Sequence, residues 1–297
     1  MSAKIIDGKS IAASIQDRLK TEITLISEGK RPPSLAIILV GDHPASLNYV
    51  TNKSKACEAI GITSIIKHLP QDTSQDELTS LVTKLNASPE IDGFMIQLPL
   101  PAHINSNAVL NKIAPEKDVD GLNVANMGNL FKAQKTTPYM RPCTPLGIVT
   151  LIKHALGSSL KGKHAVVVGQ SNIVGKPTAA LLLEEDCTVT ACHSETIDLP
   201  SHIKQGDIVV VAIGCPDFVK GDWFKPSACV IDVGINILGY NESTQKASLT
   251  GDVDFESAQD KVSYISPVPG GVGPMTITML LSNCVEAYKR CYLENER

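Results

Sequence analysis

The sequence predicts an α/β protein of two domains, and three observations carry that reading. Strand-length runs of β-branched and aliphatic residues alternate with stretches whose apolar residues recur at helical spacing, the pattern of parallel sheets with crossover helices. A polar segment from about Ala114 to Pro145, punctuated by Pro115, Pro138, Pro142 and Pro145, interrupts the alternation once. It is too long for a tight connection inside one unit. Beyond it the alternation restarts with a strand that ends in a glycine-containing turn. The 297 residues give length for about two domains, divided near residue 145.

Each element follows from its own pattern. Ile11, Ile15, Leu19, Ile23 and Ile26 form a stripe at helical spacing, so an amphipathic helix opens the chain. Leu35 to Val40 reads as a buried strand closed by Gly41-Asp42. A helix covers 46–60 and stops at Gly61, and a strand follows over 62–69. Helix 74–86 places Leu78, Leu81, Val82 and Leu85 on one face, and strand 93–98 ends in Gln97-Leu98-Pro99. After the interruption, strand 164–168 leads into Gly169-Gln170-Ser171-Asn172-Ile173-Val174-Gly175 and a helix with Pro177 near its first turn. Strands at 188–192, 207–213 and 229–233 come next. The helix from Pro274 to about Arg290 gathers Ile277, Leu280, Leu281, Cys284 and Tyr288 near one face.

Composition narrows the function classes. Hydrophobic residues make up 43% and charged residues 20%, which excludes wholesale disorder. Lys and Arg total 27 against 31 Asp and Glu, so the basic surplus of a nucleic-acid-binding protein is missing and the expected partner is small. No signal-peptide core occurs in the first 30 residues, and the longest apolar runs have strand length; no membrane association is expected. None of the eight cysteines is spaced as CxxC, so no metal site is expected and the reading is reduced thiols in a cytosolic protein.

Several segments carry chemistry-bearing residues. Gly169, Ser171 and Gly175 are spaced GxSxxxG at a strand-to-helix corner. There a backbone can approach a pyrophosphate whose charge the helix N-terminus favours; ordinary turn chemistry gives the same spacing. Ser194, after the next strand, stands where a 2′-phosphate could be bound, with Glu195 beside it. Tyr49 and Lys53 are four apart and share a helix face. They read as a desolvated lysine beside a phenol or as a surface lysine packed along a ring. Gln97 ends a buried strand and points at a ligand crevice or bonds its own loop. Lys117-Asp118-Val119-Asp120-Gly121 reads as a turn, with a carboxylate available for a bidentate pair of donors. Pro267 to Thr276 holds three glycines and three prolines just before the last helix, a backbone suited to close approach of a ligand.

Together Tyr49-Val-Thr-Asn-Lys53, Gln97-Leu-Pro-Leu, Lys117-Asp-Val-Asp-Gly121, Pro142-Cys-Thr-Pro145 and Val168-Gly-Gln-Ser-Asn-Ile-Val-Gly175 form an ordered series. It continues through Thr188-Val-Thr-Ala-Cys-His-Ser194, Ile231-Asp-Val-Gly-Ile-Asn236 and Pro269-Gly-Gly-Val-Gly-Pro-Met-Thr276. Over about residues 35 to 280 the series resembles the bifunctional methylenetetrahydrofolate dehydrogenase/methenyltetrahydrofolate cyclohydrolase family. The resemblance implies a folate-binding catalytic domain over 1–145, completed by the C-terminal helix 275–297, and a Rossmann-like NAD(P)-binding domain over 146–274. It further implies an active-site cleft between the two and a cytoplasmic homodimer acting on tetrahydrofolate derivatives. Carried over by motif, Lys53 is the principal catalytic residue, Gln97 positions it, Tyr49 lines the pterin pocket and Asp120 anchors the pterin edge. Leu98, Pro99, Pro269, Gly270, Gly271, Val272 and Gly273 would line the folate site. Gly169, Gln170, Ser171, Ser194 and Ile235 would contact the dinucleotide. The implied cofactor is NADP, with NAD open because Gln170 stands where many relatives carry Arg. Two other readings remain at this stage: a shikimate-type reductase sharing the cofactor unit, and a nucleotide-sensing protein without turnover. Neither accounts for the Tyr49, Lys53, Gln97 and Asp120 set. His43 and His193 have no role that the sequence supplies.

Overall fold

The computed structural model describes residues 2–132, 138–240 and 247–293. In chain order its strands are β1 (Lys4–Ile5), β2 (Ser34–Val40), β3 (Thr63–Leu69), β4 (Gly93–Ile96), β5 (His164–Val168), β6 (Thr188–Cys192), β7 (Ile208–Val211), β8 (Cys229–Asp232), β9 (Asn236–Tyr240), β10 (Ala247–Thr250) and β11 (Tyr264–Ile265). The helices are α1 (Gly8–Ile26), α2 (Pro44–Ile60), α3 (Gln75–Ala87), α4 (Ser106–Leu110), α5 (Val124–Phe131), α6 (Cys143–Leu156), α7 (Gly175–Glu184), α8 (Leu199–Ile203), α9 (Phe255–Ala258) and α10 (Val272–Leu293). Two compact units result, Ser14–Cys143 with Ile277–Arg297 and Met1–Ala13 with Thr144–Thr276.

Residues 1–13, which the sequence reading places with the first unit, cluster with the second. The physical reason is β1, which pairs in parallel with β11, Lys4 opposite Tyr264 and Ile5 opposite Ile265. A strand of two residues is too short to show a period of two.

In the Ser14–Cys143 unit the sheet order is β3-β2-β4, all parallel. Every residue of the central β2 is buried, which is why it reads as an unbroken apolar run. Helix α3 opens with a capping box between Ser74 and Glu77 and joins Leu78, Val82 and Leu85 to Ala36, Ile38, Val40, Phe94 and Ile96 in one apolar cluster. Helix α2 buries Ser46, Val50, Lys53, Cys57 and Ile60. Those positions step by four and three along a single helical face, so Lys53 occupies a place where a core residue belongs. Helix α10 returns to this unit: the Tyr288 hydroxyl donates to Arg31 O at 2.8 Å. The Arg31 guanidinium forks onto buried Asp92 at 2.7 and 2.8 Å.

In the other unit a six-stranded sheet runs β1-β11-β8-β7-β5-β6, with every neighbouring pair parallel. The chain moves from β5 to β6 on one side, and β7 pairs with β5 on the other. The order therefore reverses between β5 and β7, and ligands bind at the carboxyl ends of such strands.

Two features depart from the sequence reading. The stretch taken as one long polar connection contains α5, an eight-residue helix capped by the Asn123 side chain on Ala125 N, and the first turn of α6. The antiparallel pair β9–β10 is unanticipated because residues 236–239 and 247–250 are exposed or half-buried and show no core-facing alternation. Among the described residues, no helix is long and apolar enough to cross a membrane.

Candidate functional site

Lys53 organises the first cluster. Its side chain is only 7% exposed, and Nζ donates to Gln97 Oε1 at 2.9 Å and to Met95 Sδ at 3.3 Å. Met95 and Gln97 lie two apart along β4 and its extension, hence on one face. That extension is held by Gln97 N donating to Ile38 O at 2.8 Å. The Gln97 amide is used at both ends, since Nε2 donates to Leu98 O at 2.7 Å. Burial pushes the proton affinity of Lys53 down, against the opposing pull of the Asp120 charge and, more weakly, of the Cys143 and Cys57 thiols. Burial likewise pushes the Asp120 carboxyl up, while Lys53 and the Cys143 thiol pull it down. Tyr49, four residues before Lys53, is 41% exposed, and partial burial raises its phenol.

Asp120 reaches this cluster because its segment lies along β4. Phe94 bridges to Asp118 in parallel, and Phe94 N donates to Lys117 O at 2.9 Å. The approach requires Gly93, where an added Cβ would stand 2.1 Å from Val119 Cγ1. The two carboxylates of the turn then divide the work. Asp118 is 1% exposed and accepts from Gly121 N at 3.1 Å, Asn123 N at 2.7 Å and Asn126 Nδ2 at 2.9 Å. Asp118 builds the turn, and half-buried Asp120 faces Lys53 and Cys143. Asn283 of α10 fixes the flanks, donating to Val119 O at 2.8 Å and Arg141 O at 2.9 Å.

The second cluster follows the carboxyl ends of parallel strands. Gly169 comes directly after β5 with φ +122°, and a Cβ there would meet Ala212 O, just beyond β7, at 2.1 Å. Ser171 Oγ accepts from Val174 N at 3.2 Å and Gly175 N at 3.3 Å at the start of α7. Ser194 follows β6, and Ile235, 48% exposed, follows β8. Buried Asp252 knits these loops, accepting from Ile213, Gly214 and Cys215 N at 2.7, 2.9 and 2.9 Å and from Asn236 Nδ2 at 2.8 Å. Asp232 supports it from behind, accepting from Gly234, Asp252 and Val253 N at 3.0, 2.9 and 2.9 Å. Its carboxyl is pushed up to about 6 by burial. A bare-backbone corner at the switch point, with a helix N-terminus behind it, fits a dinucleotide pyrophosphate.

Comparison with known proteins gives the two clusters a common context. Residues 6–120 match the family model described as tetrahydrofolate dehydrogenase/cyclohydrolase, catalytic domain, and residues 142–292 match the corresponding NAD(P)-binding domain. The chain belongs to the tetrahydrofolate dehydrogenase/cyclohydrolase family. The bifunctional protein FolD of Halothermothrix orenii is 52% identical over 286 residues, 96% of this chain and 98% of the relative. FolD of Moorella thermoacetica is 51% identical over 290 residues, 98% of this chain and all of the relative. Among solved structures, FolD of Campylobacter jejuni gives a TM-score of 0.91 at 44% identity, covering 97% of this chain and 99% of its own. FolD of Trypanosoma brucei, solved with NADP cofactor and an inhibitor, gives 0.92 at 39%, covering 98% of each chain.

As a member of the tetrahydrofolate dehydrogenase/cyclohydrolase family the chain is a bifunctional enzyme. Lys53, Gln97 and Asp120 converge within one unit, and Tyr49 shares the helix of Lys53. Leu98 and Pro99 follow Gln97, and the bond between Leu98 and Pro99 is cis. Pro269 to Gly273 belong to the unit that carries the glycine turn. There the Val268-Pro269 bond is cis, Gly271 N donates to Pro267 O at 2.8 Å and Lys9 N to Gly270 O at 3.1 Å. Gln170 is exposed beside Gly169. His193 Nδ1 accepts from Glu195 N at 3.2 Å and so shapes the Ser194 loop. Sequence reasoning missed Met95, Asn283, Asp232 and Asp252 as contributors. Only Asp232 carried a signal, as a carboxylate at the end of an apolar strand. Among the described residues no cluster of three or more His, Cys, Asp or Glu is arranged to hold a metal ion.

Gly169→Ala places a methyl group against Ala212 O in a backbone region that costs an L-residue about 1–3 kcal/mol. A lowered Tm and at least tenfold weaker dinucleotide binding are expected by thermal unfolding and fluorescence titration. Unchanged binding would show that the corner does not hold the cofactor.

Proposed function

We propose that this enzyme oxidises 5,10-methylenetetrahydrofolate to the 5,10-methenyl cation with NADP and hydrolyses that cation to 10-formyltetrahydrofolate, with Lys53 as the key proton-transfer group. The observation that carries the reading is a buried Lys53 Nζ, 2.9 Å from Gln97 Oε1 and within the field of Asp120. Residues 14–143 with the C-terminal helix are the folate side, and 144–276 with residues 1–13 are the dinucleotide side. Homodimeric assembly is part of the reading on the strength of the family resemblance. A cytoplasmic location is supported by six buried cysteines held as free thiols, since a reducing compartment keeps thiols in that state.

Gly169, Gln170, Ser171, Ser194 and Ile235 are the residues that would hold the dinucleotide. When bound it supplies the hydride acceptor for the methylene carbon. The chain contributes position and exclusion of water. Asp120 accepts from the amino-pyrimidine edge of the pterin, and Tyr49 covers the ring. In the hydrolytic step water adds to the cationic carbon and the bond to N5 breaks, leaving the formyl group on N10. Lys53 Nζ takes one proton from the attacking water and passes it to N5 as the C–N5 bond breaks, and the second proton leaves the carbinol oxygen for solvent as the formyl C=O forms, so one proton is released overall. A lysine whose proton affinity is lowered by burial suits both directions, and the Gln97 amide keeps the nitrogen in place.

Lys53→Met is expected to lower cyclohydrolase activity by about 10²–10⁴-fold with the circular dichroism spectrum and Tm retained. Hydrolysis of the methenyl compound at an undiminished rate would overturn the assignment. Initial rates with each dinucleotide are expected to give the higher kcat/KM with NADP; a clear preference for NAD would reverse the cofactor choice.

A further inference from the structure

Three donors project from the Lys53 ammonium, and one of them is held by a sulfur atom. Met95 is 2% exposed on β4, with Sδ 3.3 Å from Nζ. An aliphatic residue would fill this core position equally well, so packing alone does not call for a thioether. We propose that Met95 is a positioning residue for Lys53, its sulfur occupying one ammonium hydrogen and setting how firmly the nitrogen keeps its proton. The inference rests on the proton-transfer reading of Lys53 given above.

The chemistry follows from what surrounds the nitrogen. Both hydrogen-bond acceptors, Gln97 Oε1 and Met95 Sδ, are uncharged. Asp120 from the β4-flanking turn supplies the opposing charge, Cys143 at the start of α6 and Cys57 on α2 are the other titratable groups acting on the nitrogen, and Tyr49 precedes it by one helical turn. A carboxylate in the place of Met95 would lock the group as an ammonium. An alkyl chain there would leave a buried N–H with no acceptor. The thioether is a weak acceptor between those limits. It favours the charged form slightly, because a hydrogen bond to the charged form raises proton affinity, and leaves the third donor for water or substrate.

The test uses the whole enzyme labelled with ¹³C-methyl methionine, six residues in the chain, with the Met95 signal identified by its loss in Met95→Leu. In the wild type the Met95 methyl signal is expected to move with pH in a step that Lys53→Leu abolishes. In Met95→Leu, which keeps side-chain volume, the limb of the cyclohydrolase pH–rate profile set by Lys53 is expected to shift by about half a unit to lower pH. A methyl signal that does not titrate, or titrates equally in Lys53→Leu, overturns the proposal. So does a rate lowered at every pH with the limb unmoved, which marks lost packing alone. The reading of Lys53 itself fails by a different result, full hydrolysis in Lys53→Met, whatever the Met95 signal does.

Discussion

Taking an ammonium group out of water costs several kcal/mol even after its surroundings relax, and that constraint governs the catalytic unit. Lys53 sits in the middle of the buried stripe of α2, where Val50 and Cys57 are its neighbours along the face. The sheet under it therefore has to supply acceptors at a fixed register. Met95 and Gln97 do so because β4 alternates its side chains and because Gln97 N continues the ladder to Ile38 O. The Asp120 charge opposes the loss of hydration from outside the hydrogen-bond shell. The nitrogen is thereby held by two uncharged acceptors, without a direct carboxylate contact.

Carboxylates elsewhere serve the backbone. Asp118, pushed up to about 6 by burial, accepts two N–H groups and the Asn126 amide. Asp252 and Asp232 gather the loops after β7 and β8 in the same manner. Each converts otherwise orphaned backbone donors into a rigid loop. In both units a buried carboxylate shapes a loop by accepting from its backbone N–H groups. Asp120 differs because its turn is already satisfied by Asp118. One carboxylate of the turn bonds the backbone, and the other is left beside Lys53.

The sequence made part of this visible. The i, i+4 spacing of Tyr49 and Lys53, the strand-end position of Gln97 and the Gly-Pro density of 269–273 all follow from local pattern, and so do the central strands. The burial of Lys53 does not, because the same spacing describes an exposed lysine lying along a tyrosine ring. What buries it comes from Met95 on β4, from Gln97 just beyond that strand and from a turn anchored by Asn283, residues far away in the chain. Within Lys117-Asp-Val-Asp-Gly121 the two carboxylates are chemically alike, and only the bridge to Phe94 decides which turns inward. The strand β1 escaped notice because its partner lies about 260 residues on, Lys4 against Tyr264. Short elements are specified by partners, and partners are not local.

The protonation state of Lys53 can be observed directly by following the ¹³Cε resonance of this side chain through a pH titration of the folded enzyme. A midpoint below that of an ordinary exposed lysine is the expected result, because burial outweighs the pull of Asp120. A midpoint at or above the exposed value would mean that the ammonium is fully compensated where it stands, and a group so fixed could not shuttle protons near neutral pH.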